Sequence, residues 1–230
     1  MTTVTLDAPW LEFDLGGDMQ VLSWAINRPG MVTARRILWR EVRNADLHPD
    51  LDVERWLHAA LNARASLDAV TFLTSRDIAY HHVVNAQVED ISACAVATVG
   101  LSNAERIGHR MDRTGQNWGT INVALRLVAG QGAEPGTAQG VGLTEAAMIE
   151  ALSIAASART AAVMEVGLEL PEGRATGTGT DCIAVAAPSG DQHFAGMHMA
   201  QGEAIGRAVF DAVACGAAEW QATIGPQSEG

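Results

Sequence analysis

The sequence predicts a single α+β domain in which a mixed β-sheet packs against two long helices rich in alanine and glycine. Three observations lead to this fold class. Segments with strand patterns fill most of the first half of the chain, two long helical segments lie in the second half, and each of these helices follows a strand. No linker divides the 230 residues, so we expect one domain over 1–230, with a core at about 10–222 and a tail at 223–230.

The first predicted strands surround glycine-rich turns. Residues 10–14 and 19–25 are short, partly alternating apolar segments on either side of a Gly-Gly-Asp sequence at 16–18, which is typical of a β-hairpin. Residues 31–42 form a third extended segment after a Pro-Gly turn. The sheet is therefore expected to begin with a hairpin and a third strand.

One short helix is predicted before the sheet resumes. Apolar residues within 52–64 recur at the spacing of one helix face, and Asp52 can cap the first turn. The other elements predicted in this part of the chain are a strand at 70–73, a helical turn or short helix at 75–80, strands at 87–99 and 119–128, and a glycine-rich loop at 130–142.

Two long helices follow. The first begins at Thr144 and ends at Gly167, and small residues on one face would let a neighbouring element approach closely: Ala147, Ala151, Ala155, Ala158 and Ala162. An extended segment is expected at 193–198, and the second helix at 201–220. Gly202 and Gly206 lie one turn apart in it, which lowers helix propensity unless the backbone must pack closely.

Composition limits the kinds of partner that the protein can bind and the compartment in which we expect it. The net charge of −12 argues against nucleic acid and anionic membranes, which need a basic surface. The chain shows no secretory signal, and Glu150 and Arg159 interrupt its most apolar helix, so we expect a soluble cytoplasmic protein, with homo-oligomers left open. The three cysteines are too few and too far apart for a disulfide framework or a cysteine metal site.

A stretch in which glycine alternates with threonine is the most distinctive local feature. It precedes an apolar run at 182–187 that is typical of a buried strand. Glycines lack a Cβ, so a ligand or another backbone could approach closely, and exposed N–H groups could bind an oxygen anion. The alternative is a tight turn whose carboxylate bonds its own backbone. The stretch consists of Thr176, Gly177, Thr178, Gly179, Thr180 and Asp181.

Five segments in a fixed order extend this observation: VGLSNA at 99–104, GTIN at 119–122, LTEAA through EAL at 143–152, ATGTGTD at 175–181, and His198 followed by GEAIGRAV at 202–209. Together they resemble the adenosylcobinamide amidohydrolase family of corrinoid salvage, over about 20–215. Met197 departs from this pattern, because a threonine is expected before the histidine, and the loop at 130–142 is longer than usual.

The resemblance implies a hydrolase whose substrate is a cobalt corrinoid, and it does not firmly imply any cofactor. It would cleave the amide between a propionyl side chain of the corrin ring and aminopropanol, giving adenosylcobyric acid and 1-aminopropan-2-ol. Cobinamide and a complete cobamide with the wrong lower base both remain open as substrates. The alternatives are a corrinoid-binding protein without catalysis and an amidase that acts on another amide.

Amide hydrolysis requires an activated nucleophile, a stabilised oxyanion and a proton for the leaving amine. We expect Asp181 to position and activate water and His198 to protonate the amine. Backbone N–H groups at 177–179, with Thr178, would hold the oxyanion. Glu203 is an alternative base, and Glu150 is either a solvent-facing residue or a second carboxylate at the site.

Other arrangements remain open at this stage. Ser102 or Thr178 could act as a covalent nucleophile, although no G-x-S-x-G elbow is present. A divalent metal held by His198, Asp181 and Glu203 has no support from ligand spacing, and the adjacent histidines at 81–82 would diverge. The remaining substrate-binding candidates are Asn103, Asn122, Thr176, Thr180 and Trp118.

Overall fold

A computed structural model describes residues 3–43, 51–111, 119–129 and 142–225. The helices are α1 (Val53–Ala63), α2 (Glu145–Val166) and α3 (Ala200–Thr223). The strands are β1 (Thr3–Asp7), β2 (Trp10–Ser23), β3 (Gly30–Glu41), β4 (Val70–Thr74), β5 (His81–Val88), β6 (Ile91–Val99), β7 (Ala104–Glu105), β8 (Ile121–Ala129), β9 (Glu169–Leu170), β10 (Gly173–Arg174), β11 (Gly177–Thr178) and β12 (Cys182–Ala187). The mixed sheet and the helices confirm the predicted α+β class.

The main sheet has eight strands and curls on itself. Its order is β4-β3-β2-β12-β8-β6-β5, and β1 pairs with β2. The pairs β3–β4 and β8–β12 are parallel, and the other pairs in this sheet are antiparallel. Although three strands separate β4 from β8, the Asn122 amide on β8 donates to the Leu73 carbonyl on β4 at 2.8 Å. The sheet therefore has a concave face that narrows towards this bond.

The central strand β12 is buried on both faces. Ile183, Val185 and Ala187 belong to the core that α2 and α3 cover. Cys182 and Ala184 alternate with them and belong to the concave-face core, with the large side chains Phe13, Trp39 and Phe72. Burial on both faces explains why this strand is a continuous apolar run rather than an alternating one.

The helix boundaries follow the predicted caps. Asp52 accepts from the Arg55 N–H at 3.0 Å before α1, and Thr144 accepts from the Ala147 N–H at 3.3 Å before α2. Gly167 ends α2 in the left-handed region, with φ 77°. By length and apolar composition α2 could cross a membrane, but in this fold it packs against α3, and its predicted small-residue face is largely buried.

The predicted hairpin at 10–25 is wrong. Residues 10–23 form one strand, and its pairing with β3 shifts register between Asp14 and Met19. Gly16 has φ 78° and donates its N–H to the Asp14 carboxylate at 2.8 Å. The glycines therefore form an irregularity within a strand, because both flanking segments pair with the same neighbour.

Three other local predictions are corrected or narrowed. The single strand at 87–99 is instead the second half of an antiparallel hairpin, β5–β6, whose turn contains Glu89 at φ 52°. Residues 75–80 form turns without a helix, and residues 193–198 form an irregular loop and turn. Most of the glycine-rich loop at 130–142 lies outside the described residues.

The two glycines in the first turns of α3, Gly202 and Gly206, have different surroundings. A Cβ at Gly202 would collide with the Gly196 carbonyl, whereas a Cβ at Gly206 would meet no atom within 4 Å. Close packing therefore explains Gly202 and not Gly206.

We expect Gly202→Ala to lower the free energy of unfolding by roughly 1–3 kcal/mol, because the added methyl overpacks the contact with Gly196. Gly206→Ala is the matched control and should be neutral or stabilising by up to about 1 kcal/mol, through higher helix propensity. Chemical denaturation of both variants measures these changes. Equal effects at the two positions would contradict the packing explanation.

Candidate functional site

The glycine–threonine stretch lies between two cavities. The first, here named the mouth cavity, has a volume of about 450 Å³ and lies where the concave face opens. It is lined by the segments 24–26, 71–75, 119–120 and 179–182, together with Val42 and Asn122. The second, here named the arginine cavity, has a volume of about 420 Å³ and is lined by residues 105–110, 159–160 and 176–178. The stretch therefore contributes to both.

Asp181 fastens the stretch to its surroundings. Its carboxylate forms an ion pair with Arg159 of α2 and accepts from the N–H groups of Ile121 and Thr178, each at 3.0 Å, as well as from the Thr178 hydroxyl. The Asp181 side chain is only 6% exposed. These four donors join β8, α2 and the loop, and leave the carboxylate little capacity to activate water.

The side-chain alternation of β12 explains where this carboxylate lies. Cys182 lies on the concave face and Ile183 on the helix face, so the side chain of Asp181 is on the helix side, where Arg159 meets it. Burial lowers the pKa of Arg159 from its ordinary value. A Cβ at Gly177 would collide with the guanidinium and lie 2.7 Å from the Asp181 carboxylate, so a larger residue there would displace the ion pair.

Polar groups cluster where the stretch faces the mouth cavity. The Thr180 hydroxyl donates to the Gly119 carbonyl at 2.7 Å, and the Thr120 hydroxyl donates to the Thr180 carbonyl at 2.8 Å. The Asn122 side chain, 1% exposed, accepts from the Thr120 hydroxyl at 3.3 Å. The structure thus brings Thr180 and Asn122, both predicted from sequence, into one hydrogen-bonded group.

Asn103 joins the same group from the turn before β7. Its amide donates to the Thr180 hydroxyl at 3.4 Å, and within the described part of the chain its buried Oδ1 atom has no hydrogen-bond partner. Ser102 precedes it in this turn and is half-buried. Thr176 has a bonding role: it accepts from the Ile107 N–H at 2.8 Å and donates to the Glu105 carbonyl at 3.3 Å. Trp118 lies outside the described residues.

The structure does not bring His198 to Asp181. Glu150 accepts from the Ala195 N–H at 2.7 Å, near the start of α2, whereas Arg159 binds Asp181 nine residues later, about 14 Å along the helix. The chain also travels about 20 Å along β12 before the loop that contains His198. The described contacts therefore put Asp181 and His198 near opposite ends of β12.

The candidate residues at the end of β12 opposite to Asp181 lie at the protein surface or bond to the backbone. His198 is exposed, and Glu203 forms an ion pair with Arg207 on the surface of α3. Glu150, Glu203 and His198 line neither the mouth cavity nor the arginine cavity. The three predicted candidates lie near the end of β12 opposite to Asp181.

Metal binding receives no support. In the part of the chain that the structure describes, no group of three histidine, cysteine or acidic side chains could hold an ion. The adjacent histidines of β5 diverge as predicted: His81 contacts the Ile78 carbonyl at 2.8 Å, and His82 contacts Glu219 at 2.8 Å.

Three residues at the site were not predicted. Arg159 was noticed only as an interruption of an apolar helix, although a lone arginine among alanines signals a buried partner. Glu105 lies beside Gly179, where an added Cβ would be 3.2 Å from its carboxylate. Trp24 lines the mouth cavity, and its indole N–H donates to the Asp181 carbonyl at 2.7 Å. The signal for Trp24 was a tryptophan near the end of a predicted strand, which is too general to identify a site.

Cys182 also lines the mouth cavity. Burial raises the pKa of its thiol to about 12, so the group is neutral near pH 7 and is poorly suited to act as a nucleophile.

The Asp181–Arg159 pair is expected to stabilise the fold. Asp181→Asn and Arg159→Met should each lower the free energy of unfolding by roughly 3–5 kcal/mol, because each leaves a buried partner uncompensated. The double variant should lose clearly less than the sum of the two. Chemical denaturation of the four proteins gives the coupling energy.

The exposed Glu203–Arg207 pair supplies the control for this cycle. Glu203→Gln should change stability by no more than about 1 kcal/mol, since the pair is solvated. Additive losses at positions 159 and 181 would show that the buried pair contributes nothing specific.

Cys182 predicts a pH dependence of stability. The unfolded thiol has a pKa near 8.5, so its contribution is fully present below about pH 8.5 and is lost as the pH rises towards about 12. The unfolding free energy of the native chain should therefore fall more steeply between pH 8 and 11 than that of Cys182→Ala. Parallel curves for the two proteins would contradict this.

Comparison with known proteins supplies the remaining observation. The model of the family described as adenosylcobinamide amidohydrolase matches residues 2–224 of the 230-residue chain. No curated protein matches the chain. The match covers every strand and helix of the fold and both cavities beside the glycine–threonine stretch, and it agrees with the resemblance carried by the five sequence segments. The chain therefore belongs to the adenosylcobinamide amidohydrolase family.

Proposed function

We propose that this protein hydrolyses the amide that joins aminopropanol to the corrin ring of adenosylcobinamide. The products are adenosylcobyric acid and (R)-1-aminopropan-2-ol, and the reaction belongs to the class of hydrolases that act on linear amides. The observation that carries the proposal is a cavity at the glycine–threonine stretch of a chain that matches this family along nearly its whole length.

The chemistry of the mouth cavity suits an amide-bearing arm. Its wall carries hydroxyl and amide groups from Thr120, Asn122 and Thr180 next to apolar side chains. Such groups can bind the peptide-like dipole and the hydroxyl of the aminopropanol arm. Gly179 also lines the cavity. Because it has no Cβ, a substrate can approach its backbone closely, which supports its proposed role in binding the oxyanion.

We place the general base at Glu105. Glu105 lines the arginine cavity, and its carboxylate reaches Gly179, which lines the mouth cavity on the other side of the loop. The carboxylate of Asp181 accepts from four donors, which suits a structural role. Asp181 then acts as a positioning residue that holds the loop in the geometry needed for water attack. This assignment replaces Asp181 as base and removes His198 and Glu203 from the reaction, because both lie at the other end of β12.

A covalent route is the second candidate mechanism, and one contact favours it. The Thr178 hydroxyl donates to the Asp181 carboxylate, which Arg159 in turn binds. A nucleophile next to a base that a third group orients is the arrangement that covalent catalysis uses. In this route Thr178 forms an ester with the corrinoid acyl group and releases aminopropanol, and water then hydrolyses the ester.

Release of aminopropanol from adenosylcobinamide by the purified protein tests the function, with a complete cobamide assayed beside it. Glu105→Gln should lower kcat by roughly 10²–10⁴-fold, the range for a lost general base. His198→Ala is the control and should stay within a few-fold of the native chain. An active Glu105→Gln variant with an inactive His198→Ala variant would place the site at the opposite end of β12.

The same assay separates the remaining alternatives. Thr178→Val should retain much of its activity if water attacks directly, and should lose it if the threonine is the nucleophile. Corrinoid binding without amide cleavage would indicate a binding protein, and cleavage of small amides that cobinamide does not inhibit would indicate another amidase.

A further inference from the structure

Three large apolar side chains form an exposed surface beside the mouth cavity, here named the apolar rim. Trp24, Ile26 and Leu67 are 46%, 41% and 42% exposed. Trp24 and Ile26 line the mouth cavity, and Ile26 and Leu67 line an adjoining cavity of about 410 Å³ against α1. Ile26 is common to both cavities, so the rim is continuous. Adjoining exposed apolar residues at a cavity mouth are typical of a binding surface.

The rim is held in place by hydrogen bonds. The indole N–H of Trp24 donates to the Asp181 carbonyl at 2.7 Å. Asn27 donates to the Ala69 carbonyl at 2.8 Å and accepts from the Thr71 N–H at 3.0 Å, which ties the segment after β2 to β4. A surface fixed in this way binds without losing further conformational freedom.

The size of the mouth cavity limits what can enter it. A volume of about 450 Å³ lies within the range that holds a drug-sized molecule, and a corrinoid is considerably larger. Only the arm that carries the amide can enter, so the macrocycle must rest on the surface around the opening. On the side of Trp24 and Ile26 that surface is apolar.

Charge favours the same side. An adenosylated cobalt(III) corrinoid without its nucleotide carries a net positive charge. The cavity next to Ile26 and Leu67 is lined by the carboxylates of Asp52 and Glu54, with one arginine. The arginine cavity, on the other side of the glycine–threonine stretch, is lined by three arginines, one of them paired with Asp181, and by the carboxylate of Glu105. Its lining is the more basic of the two, so a cation is better accommodated at the rim.

We propose that the apolar rim is the platform on which the corrin ring lies while its aminopropanol arm enters the mouth cavity. The inference rests on the proposed function and adds the location of the ring. Trp24 contributes most, because a large aromatic side chain can pack on the macrocycle. It acts on affinity and does not take part in bond cleavage.

Two measurements test the proposal. The first is the affinity for adenosylcobinamide, monitored through the quenching of tryptophan fluorescence, and the second is steady-state turnover. Trp24→Ala should raise Kd and KM by roughly ten- to a hundredfold, as for a central binding residue, with kcat nearly unchanged. Ile26→Ala combined with Leu67→Ala should weaken binding in the same direction. Met197→Ala, which truncates an 83% exposed side chain at the far end, is the matched control and should bind as the native chain does.

Trp24→Phe separates the ring contact from the hydrogen bond to Asp181. It keeps an aromatic surface and loses the indole donor, so its affinity should stay within a few-fold of the native value. Equal losses in the Phe and Ala variants, or native affinity in Trp24→Ala, would overturn the proposal. A native chain that binds adenosylcobinamide without cleaving it would refute the proposed function alone. A native chain that does not bind it would refute both.

Discussion

The buried ion pair between Asp181 and Arg159 is the contact on which the site depends. It connects the start of the central strand to the middle of α2, and the N–H of Ile121 brings β8 to the same carboxylate. Removing two charged groups from water is costly unless their hydrogen-bonding capacity is filled. Here four donors occupy the hydrogen-bonding capacity of the carboxylate. The need for these donors accounts for its neighbours: glycine at 177, a hydroxyl at 178, and an arginine on the facing turn of the helix.

The two cavities follow from this arrangement. Because the carboxylate holds the loop from the helix side, Gly179, Thr180 and Cys182 line the mouth cavity on the concave side of the sheet, and residues 177–178 line the arginine cavity. The same loop thus separates an apolar opening with amide and hydroxyl groups from a cationic one. In the proposed mechanism Asp181 positions the groups that meet the substrate, and affinity and chemistry are assigned to different residues.

Sequence reasoning succeeded where the information was local. The caps at Asp52, Thr144 and Gly167, and the apolar run at 182–187, are each encoded within a few residues, and each appears in the structure. The glycines at 16–17 failed as a hairpin signal, because a bulge and a turn use the same residue types and only pairing with β3 distinguishes them. The position of His198 could not be predicted from the sequence for a related reason. A motif gives no indication of which end of a strand it will reach, and β12 places it far from Asp181. Arg159 was missed because its partner is distant in sequence and opposite in charge, which no periodic pattern reveals.

The position of β12 also has a consequence for how the chain folds. This strand comes late in the sequence, yet in the sheet it lies between β2 and β8, so the amino-terminal strands and the β5–β6–β8 group meet through it. Until residue 187 is available, β2 and β8 each present an unpaired edge, and such edges invite association with other chains. Closure of the sheet therefore waits for contacts between parts of the chain that are far apart in sequence, which slows folding. Translation leaves the nascent chain in this open state until most of it has been synthesised, so the period of greatest exposure to aggregation falls before the last helix emerges.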